Sequence, residues 1–282
     1  MSPVKIVADS GCDLPGPILE RYDVSIVPLV VQIGSDQYYH GQIDLETFWR
    51  RLLSERATTS GPSLGLFQQT FERLVNAGHE VVCITLTGRH SNTFNTAWGA
   101  AQEFIGRVRV VDSWSISLSM GLQVLMAAIA AQAGRSADEI VALVEELRQR
   151  IRLRIVLDTL EYARRGGRLA RLMPILDRMC RALSIKPILS MVEGEFRFIG
   201  AARSLKGALR RIEDEVSNWG SIEQVAIAHV RLPELVEEAA HRLAEKLHMM
   251  RESILTGEAG PAFAVHAGPG AFGIVLLPKK AR

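Results

Sequence analysis

The chain alternates between short apolar runs and amphipathic stretches through its first half. Val4-Lys5-Ile6-Val7-Ala8 is a compact apolar run closed by Asp9-Ser10-Gly11, which predicts a strand feeding a polar loop. Pro15 and Pro17 suit the first turn of a helix ending near Tyr22. The run from Val24 to Ile33 is rich in β-branched residues. With Gly34-Ser35-Asp36 as a turn and Gln37-Tyr38-Tyr39 returning, it predicts an inserted hairpin near 24–41. Asp44 is placed to cap a helix whose Leu45, Phe48, Trp49 and Leu52 recur at helical spacing. Thr58 to Ser63 reads as a polar loop before a helix over about 64–77.

Val81 to Leu86 is almost wholly apolar, as a strand covered on both faces of a parallel sheet should be. A loop over 88–92, a helix over 93–104, a strand at Val108–Ser113, a buried helix from about Ser117 and a helix over 137–150 follow. This alternation predicts an α/β domain with a doubly wound parallel sheet. Its polar strand ends, Asp9-Ser10, Thr85 to Thr87 and Asp112-Ser113, gather at the carboxyl edge, where such folds bind ligands. After the strand at 154–158 the pattern changes. A hairpin turns at Glu193-Gly194-Glu195, helices are predicted over 204–219 and 233–246 with a strand at 224–230 between them, and Pro261 to Leu277 reads as two strands around Gly268-Pro269-Gly270. The expected division is an α/β domain over 1–158 and a smaller α+β domain over 159–282.

Composition narrows the functional classes. The chain has 282 residues, 48% of them hydrophobic, enough for a substantial core. A net charge of +2 argues against a dedicated nucleic-acid binder. Cys12, Cys83 and Cys180 are scattered and odd in number, without a C-x-x-C pair, which signals neither a disulfide framework nor a zinc site and fits a reducing cytoplasm. The opening Met1-Ser2-Pro3-Val4-Lys5 does not read as a signal peptide. The apolar stretch around 120–133 is too short and too rich in alanine to span a bilayer. No P-loop, G-x-S-x-G elbow, H-E-x-x-H or magnesium-type carboxylate cluster occurs. No cofactor and no metal are therefore expected.

Four segments carry candidate chemistry. Thr58-Thr59-Ser60-Gly61-Pro62-Ser63 concentrates hydroxyls before a helix, and His90-Ser91-Asn92-Thr93 does the same one strand later. Hydroxyls and free N–H groups at two helix starts suit a carboxylate or phosphate. Arg164-Arg165-Gly166-Gly167-Arg168 sets guanidiniums around glycines that allow close backbone approach. His266-Ala267-Gly268-Pro269-Gly270 places an imidazole at a tight turn.

In this order, these segments resemble the DegV family of fatty-acid-binding proteins, over nearly the whole chain. The matching residues are Lys5 to Ser10, Val27-Pro28-Leu29, Thr59 to Ser63 (usually T-S-Q-P-S), Ser91 to Phe94 (usually S-G-T-Y), Val111-Asp112-Ser113 with Ser117 and Gly121, Arg165 to Arg168, Ile185 to Leu189, and His266 to Gly270. Gly61, Asn92 and His40 depart from the usual Gln, Gly and Asp, and Asn92 adds a side chain at a position of close approach. The resemblance implies an α/β domain, a smaller α+β domain and a long-chain fatty acid in an apolar tunnel between them. It implies a ligand site drawn from Thr59, Ser60, Ser91, Thr93, Arg165, Arg168, His266 and Gly268. It also implies a non-enzymatic, cytoplasmic bacterial lipid-binding protein, in at most transient contact with membrane, that presents the acid to a separate fatty-acid kinase subunit. The acyl phosphate made there feeds phospholipid synthesis. Met120, Leu122, Leu125, Met126 and Ile129 are candidate tunnel-wall residues, or plain core. The alternative is a serine-dependent acyl-ester or thioester hydrolase using Ser91 and His266, with Asp112 as the nearest third member. A third reading makes the arginine-dense stretch 148–181 a dock for an acidic partner.

Overall fold

The computed structural model describes residues 3–182, 185–216 and 218–280. It divides into two compact units: residues 1–149 with 260–262, and residues 150–259 with 263–282.

The first unit begins with strand β1 (Val4–Asp9), helix α1 (Gly16–Arg21) and strand β2 (Ser25–Val27). Strands β3 (Val30–Ile33) and β4 (Asp36–Tyr39), helix α2 (Leu45–Ser54) and strand β5 (Ala57–Ser60) follow. Helix α3 (Leu64–Asn76), β6 (Glu80–Thr85), α4 (Thr93–Ala101), β7 (Val108–Asp112), α5 (Ser117–Gln132) and α6 (Ala137–Arg150) complete it. The order β2-β1-β6-β7 forms a parallel sheet, as the alternating pattern predicts. Phe67, Phe71 and Ala97 of α3 and α4 pack with Val7, Val81 and Cys83 of the sheet in a closed core. The predicted cap is present: the Asp44 carboxylate accepts the Thr47 N–H at 2.9 Å.

Two expectations are corrected here. The run from Val24 to Ile33 is two strands in two sheets, because Pro28 lacks the N–H a continuous ladder needs. Thr58 to Ser63 is also more than a loop. Its first half is β5, which pairs antiparallel with β3, Thr59 opposite Val31, and makes the β3–β4 hairpin a three-stranded sheet.

The second unit contains β8 (Arg152–Val156), α7 (Glu161–Gly166), α8 (Met173–Ala182), β9 (Lys186–Val192), β10 (Glu195–Ala202) and α9 (Leu205–Val216). Then come β11 (Ile222–His229), α10 (Pro233–Leu247), β12 (Ile254–Glu258), α11 (Pro261–Ala267, starting in the 260–262 segment) and β13 (Phe272–Pro278). The sheet order is β10-β9-β8-β13-β11-β12, antiparallel except between β11 and β12. β8, which closes the first domain in the sequence reading, is hydrogen-bonded within this sheet. Ile212, Val225, Leu243 and Ile274 sit at the centre of its core. The hairpin turn has Glu193 at φ 50° and Gly194 at φ 80°, the left-handed pair that matches strand twist. Residues 261–267 form a helix rather than the expected strand. Gly268, at φ 73°, closes it, with its N–H on the Ala264 carbonyl.

Candidate ligand-anchoring site

The carboxyl edge of the parallel sheet is held by acidic side chains, one of them fully buried. The Asp9 carboxylate, fully buried at the end of β1, accepts N–H groups from Gly11 at 2.8 Å and Leu86 at 2.7 Å. Burial raises its pKa to about 7 against the opposing pull of those two bonds. Asp112 accepts from Gly88 at 3.0 Å and Trp114 at 2.9 Å, and burial raises its pKa too. These acids therefore shape the loops after β1, β6 and β7. Asp13 does similar work: it accepts Ser117 Oγ at 2.6 Å and the Gly260 N–H at 2.9 Å, and burial pushes it up to about 6.

The loop after β6 delivers Ser91 and Thr93 to the start of α4. Their hydroxyl oxygens lie 2.8 Å apart, and the Thr93 N–H donates to Ser91 Oγ at 3.3 Å. Thr93 is fully buried and Ser91 half-buried. Gly61, just past β5, packs directly on Thr93. A Cβ there would stand 2.7 Å from Thr93 Oγ1 and 3.6 Å from the Thr93 backbone nitrogen. The two hydroxyl segments thus converge, and the departure from Gln at position 61 leaves Thr93 its space. Pleating separates the two β5 candidates: half-buried Thr59 and exposed Ser60 point to opposite faces. The side chain of Asn92 turns outward, its amide oxygen accepting Asn95 Nδ2 at 2.9 Å on the exposed face of α4.

In the second unit, Gly166 brings the arginine-glycine and histidine segments together. A Cβ at 166 would stand 2.2 Å from His266 Nδ1. Burial, with the Arg168 charge behind it, drives the His266 pKa down to about 4, so the imidazole is neutral. A narrow cavity of about 40 Å³ lies beside it, lined by Leu157, Leu169, Leu189, Phe196 and Phe263 with Arg168 and His266 as its polar members. Arg165 is exposed and ion-paired to Glu161, so it is not part of that lining. Gly268 is buried against Tyr162, where a Cβ would meet the ring at 2.3 Å.

Of the candidate wall residues on α5, Met120 and Leu122 are core, Leu125 and Met126 are half-buried, and Ile129 is 40% exposed. Gly121 instead lets α5 lie on the turn after β1, since a Cβ there would meet the Cys12 carbonyl at 2.5 Å. The tight approaches at Gly61, Gly166 and Gly121 escape sequence reasoning about side-chain chemistry, because glycine announces permission to approach but not what approaches. Among the described residues, no group of three His, Cys, Asp or Glu side chains is placed to hold a metal, and no helix is long and apolar enough to cross a membrane.

A two-unit α/β protein with a hydroxyl-lined helix start and a neutral, half-buried histidine has clear relatives. The family described as "Uncharacterised protein, DegV family" matches residues 3–279, and the chain belongs to it. A DegV domain-containing protein of Caldanaerobacter subterraneus is 34% identical over 99% of this chain and 100% of its own length. A DegV family protein from Thermus thermophilus, described for its fatty-acid binding, superposes with a TM-score of 0.88 at 29% identity, covering 98% of this chain and 100% of that one. A stearic-acid-binding protein from Eubacterium ventriosum does so with a TM-score of 0.85 at 25% identity, covering 99% of each.

Proposed function

We propose that this protein binds a long-chain fatty acid and holds its carboxylate on the hydroxyls of Thr59, Ser91 and Thr93. The observation that carries this reading is the seating of Gly61 on Thr93, which gathers both hydroxyl segments at the start of α4. A helix start with converging hydroxyls favours an anion. The fatty-acid binding described for relatives of 25–29% identity supports the choice of anion. Burying about 14 methylenes is worth roughly 11 kcal/mol gross at about 0.8 per CH₂. Association costs reduce that sum, and each charge-assisted hydrogen bond returns about 1.5–3 kcal/mol. The tail therefore supplies affinity and the hydroxyls supply orientation. In the second unit, the apolar cavity beside neutral His266 and Arg168 suits hydrocarbon next to a polar end. Ser60 and Arg165, both exposed, are left out of the contacts, and Gly268 acts through the helix end that it closes.

The acid is kept intact and handed to a separate fatty-acid kinase. The hydrogen bonds of Ser91 Oγ both go to Thr93, and Asp112 is occupied by two backbone N–H groups, so neither has the setting of an activated nucleophile or its orienting acid. Organic extraction of the purified protein and mass spectrometry test the binding: a stoichiometric acyl chain is expected. An empty extract together with no uptake of added fatty acid would end this reading. Acyl phosphate formed only when the loaded protein meets kinase and ATP tests the second step, and ester hydrolysis lost in Ser91→Ala would replace it with the hydrolase.

A further inference from the structure

Arg148, near the end of α6, brings a half-buried guanidinium to the carboxyl end of β7. Its Cζ lies 3.9 Å from the centroid of the Trp114 ring, and Nη1 donates to the Asp112 carbonyl at 3.0 Å. Nη2 donates to Glu145 Oε1 at 3.2 Å, one turn back on the same helix. A flat cation held at its edges and laid on an aromatic face has a fixed orientation that an ammonium group cannot copy. Closing the Asp112 carbonyl would need only one of these contacts, so the stack on Trp114 calls for its own account.

The segment that Arg148 grips is strained. Trp114 has φ 52°, in the left-handed region that a bulky side chain rarely adopts. Such a conformation persists only where its surroundings hold it. Two contacts do so here: Arg148 against the ring, and Asp112 Oδ1, which accepts the Trp114 N–H at 2.9 Å. The other oxygen of that carboxylate, Oδ2, accepts the Gly88 N–H at 3.0 Å in the loop after β6. Gly88 is wedged between this acid and the start of α4, since a Cβ there would stand 3.0 Å from Asp112 Oδ2 and 3.6 Å from Phe94 Cβ. The Thr87 N–H, on the Ser115 carbonyl at 2.9 Å, ties the same two loops a second time. Ser91 follows Gly88 by three residues, and its hydroxyl faces that of Thr93.

We propose that Arg148 and Trp114 are positioning residues for the carboxylate anchor: acting through Asp112 and Gly88, they fix the loop that carries Ser91. The inference rests on the anchor reading given above, and neither residue is asked to touch the acid. Arg148 holds the indole and with it the left-handed turn at Trp114. That turn aims the Trp114 N–H at Asp112 Oδ1, which fixes the carboxylate plane and so the Oδ2 that receives Gly88. Released from Arg148, Trp114 relaxes toward negative φ, its N–H leaves Asp112, and the carboxylate is free to swing off Gly88. Ser91 then loses its set place beside Thr93.

Titration of the delipidated full chain with stearic acid and with methyl stearate tests this, because the ratio of the two affinities reads the anchor apart from the tail. Arg148→Met should cut the preference for the acid about five- to tenfold, with ester affinity and circular dichroism unchanged. Trp114→Leu should do the same, and Trp114→Phe, which restores an aromatic face, should return most of the preference. Since the two residues act as one unit, Arg148→Met with Trp114→Leu should lose no more than either alone. Arg109→Met removes another arginine from β7, one paired with Glu80 and Asp138, and should leave the preference as it was. Without ligand, amide exchange at Gly88 should accelerate in Arg148→Met and not in Arg109→Met. A preference that survives in Arg148→Met, acid and ester affinities that fall together, additive losses, or unchanged exchange at Gly88 would overturn the proposal. No preference for the acid in the unsubstituted protein would overturn the anchor itself, and exchange at Gly88 would still report on the brace.

Discussion

Gly61 lies against Thr93 so closely that a Cβ at position 61 would stand 2.7 Å from the threonine hydroxyl oxygen. This approach joins a strand end to a helix start in the first unit. It also makes a simple substitution informative. Gly61→Ala should push Thr93 Oγ1 off Ser91 and weaken fatty-acid binding about tenfold, the equivalent of one lost hydrogen bond. Gly65→Ala, where a Cβ meets nothing within 4 Å, is the control and should leave affinity unchanged. Calorimetric titration distinguishes the two.

β5 makes a second prediction. Thr59 and Ser60 are adjacent, yet the pleat sends them to opposite faces. Ser60→Ala should therefore bind fatty acid like the unsubstituted protein, and Thr59→Ala should bind it more weakly. Equal losses in both variants would mean that the site draws on the backbone of β5 rather than on its Thr59 face.

The second unit should respond to Gly268→Ala. The residue sits at φ 73° and its added methyl would strike Tyr162 at 2.3 Å, so strain and clash act together. A cost of about 2 kcal/mol or more is expected, seen as a fall of several degrees in Tm. Gly167→Ala, also at positive φ but with open space around the Cβ, should cost less. The difference between the two isolates the packing on Tyr162.

Two desolvated acids and a desolvated histidine give opposite pH responses. Burial raises Asp9 to about 7, so the folded state holds a proton that the unfolded chain has lost above about pH 4. Its contribution is full below that value and is lost as pH rises through 7. Asp13, raised to about 6, acts in the same sense. His266 is lowered to about 4, so its contribution is full above about pH 6.5 and is lost as pH falls through 4. Thermal melts over this range should show acid stabilisation that Asp9→Asn diminishes, and acid lability that His266→Phe diminishes.

Much of this architecture was legible in the chain because burial on both faces writes long apolar runs. β1 and β6 show it, and the periodic α2 and α3 and the hairpin at Gly194 were legible as well. β5 was hidden because Thr58, Thr59 and Ser60 are all polar, and only pairing with the distant β3 makes them a strand. Residues 261–267 misled because a short run of alanine, phenylalanine and valine fits either periodicity. The hydroxyls at Thr59, Ser91 and Thr93 were visible as candidates, whereas the contact between the 58–63 segment and Thr93 was not. It depends on Gly61, whose role is to be absent from the space Thr93 fills.

The most direct measurement is titration of delipidated protein with stearic acid and with its methyl ester, in the unsubstituted chain and in Thr59→Ala with Ser91→Ala. If the hydroxyls hold the carboxylate, the acid should bind at least tenfold more tightly than the ester, and the double variant should erase that gap while still binding the ester, consistent with the loss of charge-assisted hydrogen bonds. Equal affinity for acid and ester in the unsubstituted protein, or an undiminished preference for the acid in the double variant, would contradict it.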